Sequence, residues 1–195
     1  SLAFALAGTA RVLAAVEAGT ALPRALATVF EERAISASAR GAIQDLSYRS
    51  LRRWGLANAL LGELTERPPT QARLRTLLCC ALALLSEDEP GYADHTVVDQ
   101  AVSAARKRVP ASAGFINAVL RRLTREGAAL VAAQDEARLN TPDWLWSRWV
   151  KAYGEETTRR VAVAHGERPA LDISFKADAA AWKDSLGGEI LPNGQ

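Results

Sequence analysis

The run from Leu74 to Leu85 constrains the fold of this chain more than any other segment. Leu74, Leu77, Leu78, Ala81, Leu82 and Leu85 recur at helical spacing and cover much of the helix circumference. A helix that is apolar over so much of its girth needs neighbours on several sides. It is predicted to be the central, most buried element of a helical assembly. Pro68-Pro69 stops the run before it, since proline lacks an amide hydrogen and restricts its predecessor. Thr70 is the expected cap, and Glu87 to Gly91 form a turn after it.

The flanking segments supply the neighbours. A first helix is expected over about Leu2 to Ala18, with Leu6, Leu13 and Val16 inward and Gly19 ending it. Pro23 suits the first turn of a short second helix carrying Leu26, Val29 and Phe30. Ser36 or Ser38 caps a third, which buries Ile43, Leu46, Leu51 and Trp54, and Gly55 kinks or divides it. Thr96 with Asp99 resembles a capping box opening a helix to about Arg108, and Pro110 with Ser112 starts another at Ala113. A further helical piece is expected from about Ala128 to Arg138, after Gly127. Thr141-Pro142 opens an aromatic helix with Trp144, Trp146 and Trp149, followed by a helix over about Glu155 to His165. Then the period changes: Leu171, Ile173 and Phe175 alternate with polar residues, a helix comes next over about Ala177 to Leu186, and a short strand at Glu189 to Leu191. That is the start of a β-α-β unit without the strands to close it. The expectation is a chain cut inside a second domain.

With 49% hydrophobic residues the chain can bury a real core, and no apolar run reaches the roughly 20 residues of a membrane span. The net charge of +2 is too small to imply nucleic acid by itself. Cys79 and Cys80 are adjacent within the most apolar helix and read as buried thiols of a reducing cytosol, so a cytoplasmic location is expected. His95 and His165 stand alone, without metal-ligand spacing.

The helical order, with "LRTLLCCALALL", "HTVVDQAVSAARKRVPASAGFINAVLRRLTRE" and "TPDWLWSRWVKAYGEE", resembles the N-terminal part of the bacterial ribosomal RNA small-subunit methyltransferase B family (RsmB, also called Sun or Fmu). "GFINAVLRR" is close to that family's "GFVNAVLRR" and is the most specific match. The resemblance implies an all-α, NusB-like RNA-binding bundle over residues 1–138, linker helices over 139–169, and the incomplete start of an α/β, RRM-like subdomain over 170–195. It also implies a parent enzyme that uses S-adenosylmethionine to methylate carbon 5 of a cytosine in small-subunit ribosomal RNA. The family's catalytic cysteines and glycine-rich cofactor loop match nothing here. The segment is therefore expected to bind and position RNA, to hold no cofactor itself, to dock onto its own C-terminal catalytic domain, and to meet no membrane. In the family's first strand an arginine and asparagine are usual where this chain has Ser174, Phe175 and Lys176.

Three cationic clusters are the candidate RNA contacts. Arg49, Arg52 and Arg53 share one helical face, Arg121, Arg122 and Arg125 repeat that spacing, and Arg106, Lys107 and Arg108 end a neighbouring helix. Each could instead be a solvated face, or dock the catalytic domain through carboxylates. Asn117 is expected to be structural, bonding backbone across helices. Trp144 and Trp149, with Trp146, are expected to fill an interdomain seam, with base stacking as the alternative. Two rival readings remain: a NusB-type antitermination factor, against which residues 141–195 argue, and a helical protein-docking domain without RNA contact.

Overall fold

The structure is a computed structural model that describes residues 1–31, 35–87, 91–176 and 180–190. Helices α1 (Leu2–Glu17), α2 (Leu22–Glu31), α3 (Ala37–Arg52), α4 (Trp54–Leu64), α5 (Ala72–Leu85), α6 (Asp94–Arg108) and α7 (Ala113–Ala132) form the bundle. Helices α8 (Glu136–Leu139), α9 (Asp143–Tyr153) and α10 (Glu155–Gly166) come after it, then α11 (Ala180–Leu186).

The all-helical architecture of the bundle is what the periodicity predicts. Ten of the fourteen residues of α5 are buried, Leu74 and Thr76 to Leu84, and α1, α3, α4, α6 and α7 all pack on it. Small polar side chains hold the helices in register without adding bulk. Thr76 Oγ1 donates to the Ala10 carbonyl (2.7 Å), and Ser50 Oγ donates to Cys80 Sγ (3.2 Å). The core runs from Ala3 to Leu123 and takes nothing from α9 or α10.

Several local expectations change. Ser36 does cap α3, accepting from the Ala39 amide at 3.3 Å. However, α5 opens at Gln71 without help from Thr70, and α6 opens at Ala93 rather than Thr96, so no capping box forms. Thr141 does not cap α9. Its hydroxyl donates back to the Ala137 carbonyl, 2.9 Å away. Helix α7 also runs straight through Gly127. The roughly 1 kcal/mol helix cost of a glycine is accepted because a Cβ there would lie 3.2 Å from Leu123 Cδ1, a buried core residue.

Gly55 does something other than kink the chain. The break between α3 and α4 falls at Arg53, and a Cβ on Gly55 would lie 1.8 Å from the Leu139 carbonyl oxygen. The missing side chain lets the backbone at the end of α8 rest directly on α4. Asn140 Oδ1 then accepts from the Leu56 amide (2.9 Å), capping the third residue of α4 from another part of the chain. Leu171, Ile173 and Phe175 are not paired into a sheet among the described residues, because a strand needs a neighbour's hydrogen bonds and no described segment supplies them. Phe175 instead stacks on Trp182 of α11 at 5.8 Å. The proposed strand at 189–191 extends beyond the described residues.

Candidate nucleic-acid interface

Arg49, Arg52 and Arg53 line an open groove of about 780 Å³ between the end of α3, the end of α5 and residues 166–169. Two of the three are committed elsewhere. Arg49 Nε donates to Glu87 Oε1 (2.9 Å), its Nη2 pairs with Glu87 Oε2, and Nη1 reaches Asp45 at 3.4 Å. The Glu87 hydrogen bonds hold the guanidinium well above its ordinary pKa, against the opposing effect of its partial burial. Arg53 Nη2 donates to Glu136 Oε2 (3.0 Å), which ties the end of α3 to α8. Arg52 has no ion-pair partner among the described residues, and neither does Arg168 on the facing wall.

The second cluster has a different character. Arg106, Lys107 and Arg108 are exposed at the C-terminal end of α6, where their charge complements the helix dipole, and none has an ion-pair partner among the described residues. Arg108 meets two cations that sequence spacing does not single out. Arg11 of α1, Arg73 of α5 and Arg108 ring a recess of about 200 Å³, with Ala7, Ala10, Leu77 and Val109 as apolar lining. Phe4, Arg11 and Arg108 also border an adjoining depression, and Phe4 is 39% exposed. Arg11 and Arg73, single arginines on two other helices, give no local signal; only the packing brings them to Arg108. The groove and the recess lie at opposite ends of α5, about 20 Å apart for a helix of this length. These two clusters therefore do not form one surface.

The third cluster is split by its own contacts. Arg122 Nε pairs with Glu126 (2.9 Å), and Nη1 donates to the Leu64 (3.3 Å) and Glu63 (3.5 Å) carbonyls at the end of α4. It satisfies carbonyls that a helix terminus leaves open. Arg121 Nε donates to Asn117 Oδ1 (3.1 Å) along the same helix, and Arg125 is exposed. Asn117 is thus occupied within α7 and bonds no backbone across helices among the described contacts. Amides that do bond the backbone of another helix are Gln100 of α6, whose Oε1 accepts from the Ala3 amide of α1 (3.1 Å), and Asn140, which carries no signal in its local sequence.

The tryptophans also separate. Trp144 is 63% exposed and fills no seam among the described residues. Trp149 meets His165 of α10 edge-on, with ring centroids 5.2 Å apart. Trp146 lies under the guanidinium groups of Arg138 (5.2 Å) and Arg159 (5.6 Å). Arg159 in turn bonds both Asp135 oxygens, at 2.7 and 3.0 Å, and holds that carboxyl below its usual range. These contacts fasten α8, α9 and α10 to one another.

Neither cysteine offers a nucleophile. Burial pushes both thiols up to about 12, and Asn58 and Ser50 are their polar neighbours. A reactive cysteine needs a lowered pKa and access. No described helix is long and apolar enough to cross a membrane.

Comparison with known proteins adds a consistent set of relatives. The model of the NusB family matches residues 6–125. The chain is 37% identical over 123 residues to ribosomal RNA small subunit methyltransferase B of Thermus thermophilus, covering 62% of this chain and 27% of that protein. Against the probable methyltransferase of the same name from Bacillus subtilis it is 27% identical over 177 residues, 84% of this chain and 39% of the relative. The Pseudomonas putida protein is 31% identical over 173 residues, 83% and 38% respectively. The chain thus spans well under half the length of these relatives.

Proposed function

The chain belongs to the NusB family, and from that premise we propose that it is the RNA-handling front region of a ribosomal RNA small-subunit methyltransferase, with methyl transfer performed by residues outside it. The observation that carries this reading is the set of cations at the end of α6, Arg106, Lys107 and Arg108, exposed and unengaged by carboxylates among the described residues. Folding does not explain three such charges in a row beyond the dipole term, whereas phosphates do. The relatives' names point the same way. In this reading residues 1–138 grip RNA, 139–169 orient the next subdomain against the bundle, and 170–195 begin that subdomain. The parent works in the cytoplasm on a cytosine carbon 5 with S-adenosylmethionine as methyl donor.

The groove lined by Arg49, Arg52, Arg53 and Arg168 gathers positive charge that would repel the donor's sulfonium cation, and Cys79 and Cys80 are buried. No step is therefore assigned to this chain beyond binding and positioning.

A salt series of RNA binding tests the reading. A single strand loses about 0.7 of logarithmic salt slope for each phosphate contact removed. Arg106→Glu with Lys107→Glu should flatten the slope by more than one and weaken binding at low salt. The same affinity and slope in both proteins would overturn the reading in favour of protein docking. Methyl transfer by the 195-residue chain alone would contradict the placement of the chemistry.

A further inference from the structure

We infer that the recess between α1, α5 and α6 is a single-nucleotide subsite, where Arg73 and Arg108 take a phosphate and Phe4 takes the base of an unpaired nucleotide. The inference rests on the RNA reading above and gives it one specific pocket. Three guanidinium groups border one recess of about 200 Å³. Arg73 and Arg108 have no carboxylate partner among the described residues, so the fold leaves like charges facing one cavity. A phosphate offers such groups several acceptor oxygens and relieves their repulsion. Ala7, Ala10, Leu77 and Val109 give the rest of the recess an apolar lining.

Phe4 supplies the second half of the ligand site. Phe4, Ala7 and Arg11 lie three and four residues apart on α1 and so share one helical face. Phe4 is partly exposed beside a small depression of about 20 Å³ that Arg11 and Arg108 also border, so a base would stack on the outer face of the ring rather than enter the depression. An exposed aromatic ring beside guanidinium groups is the arrangement on which unpaired bases stack. A duplex keeps its bases stacked inside and presents only a continuous backbone, so it cannot place a base there. The chemistry is that of a nucleotide phosphate, and its source is either an internal RNA nucleotide or a free mononucleotide.

Anisotropy titrations of the full 195-residue chain separate the outcomes, with a short labelled RNA single strand, its duplex, and unlabelled AMP as competitor. Phe4→Ala should weaken the single strand about tenfold and leave the duplex unchanged. Arg73→Gln should lower the single-strand salt slope by about 0.7. Both side chains are at least partly exposed, and circular dichroism checks that each variant keeps its helices. Displacement by AMP at micromolar levels would mark a free-nucleotide site, and its failure with the variant effects intact would mark an internal nucleotide. If Arg106→Glu with Lys107→Glu weakens RNA while Phe4→Ala and Arg73→Gln do not, the subsite is wrong and the RNA reading stands. If none of them changes binding, both fall.

Discussion

Gly55→Ala tests whether α8 is seated on α4 by backbone contact. Alanine is ordinarily the better helix former by about 1 kcal/mol. Gly62, in the same helix α4, gives that ordinary case, because a Cβ there meets nothing within 4 Å. At Gly55 the new carbon would lie 1.8 Å from Leu139 O, 2.3 Å from Leu139 C and 2.9 Å from Asn140 N. All three are backbone atoms, which cannot swing aside like a side-chain tip. The end of α8 must retreat by about 2 Å to reach ordinary contact at roughly 3.5–4.0 Å, and the 2.9 Å bond from Leu56 N to Asn140 Oδ1 then breaks. Overpacking costs about 1–3 kcal/mol and the lost hydrogen bond about 1. Together they exceed the propensity gain. Because the core takes nothing from α9 or α10, the loss should be local. Hydrogen exchange of α8–α10 should quicken by about tenfold or more in Gly55→Ala, with α1 and α5 protected as before. Gly62→Ala should raise the melting temperature by a few degrees. If Gly55→Ala is stabilised as much as Gly62→Ala and exchanges like the parent, the seating argument fails.

Two further outcomes rest on single contacts. Asn140→Ala should cost about 1 kcal/mol in urea unfolding by uncapping α4 from 84 residues away, and Asn140→Asp should keep the acceptor and regain most of it. The buried thiols set an alkaline limit. Both sit near 12 in the fold against about 8.5 in an unfolded chain, so their contribution is intact below about pH 8.5 and is lost progressively as pH rises toward 12. Melts at about pH 7 and pH 10 should show that fall, and Cys79→Ala with Cys80→Ala should flatten it; an unchanged pH dependence in the double variant would refute the assignment.

How much of this was legible depended on how far each interaction reaches along the chain. Helix α5 could be read because its burial is written into its own spacing, and Ser36 because its bond spans only three residues. The starts of α5 and α6 were misplaced because side chains able to cap are not obliged to, when packing decides where the helix begins. Gly127 reads locally as a breaker, yet α7 crosses it on the strength of its contacts with α4, α5 and α6. Gly55 reads as a kink because the carbonyl it accommodates belongs to Leu139.

The same distance in sequence explains the cationic clusters, and it changes what they can do. Their spacing could be seen, but Glu87 lies 38 residues from Arg49 and Glu136 lies 83 from Arg53. A guanidinium already paired with a carboxylate displaces few counterions from the RNA, so it contributes little to the salt slope. Nine cations taken at face value would give a single-strand slope of about 6, at roughly 0.7 each. Arg49, Arg53 and Arg122 are paired with Glu87, Glu136 and Glu126, and the remaining six allow about 4. Arg52 then drops out if RNA sits at the far end of α5, while Arg73 enters from outside the sequence clusters and keeps the count at six. A measured slope near ~6 would mean that RNA breaks the Arg49 and Arg53 pairs, and with the latter the attachment of α8 to the bundle. A slope of about 4 or less leaves the linker seated while RNA is bound.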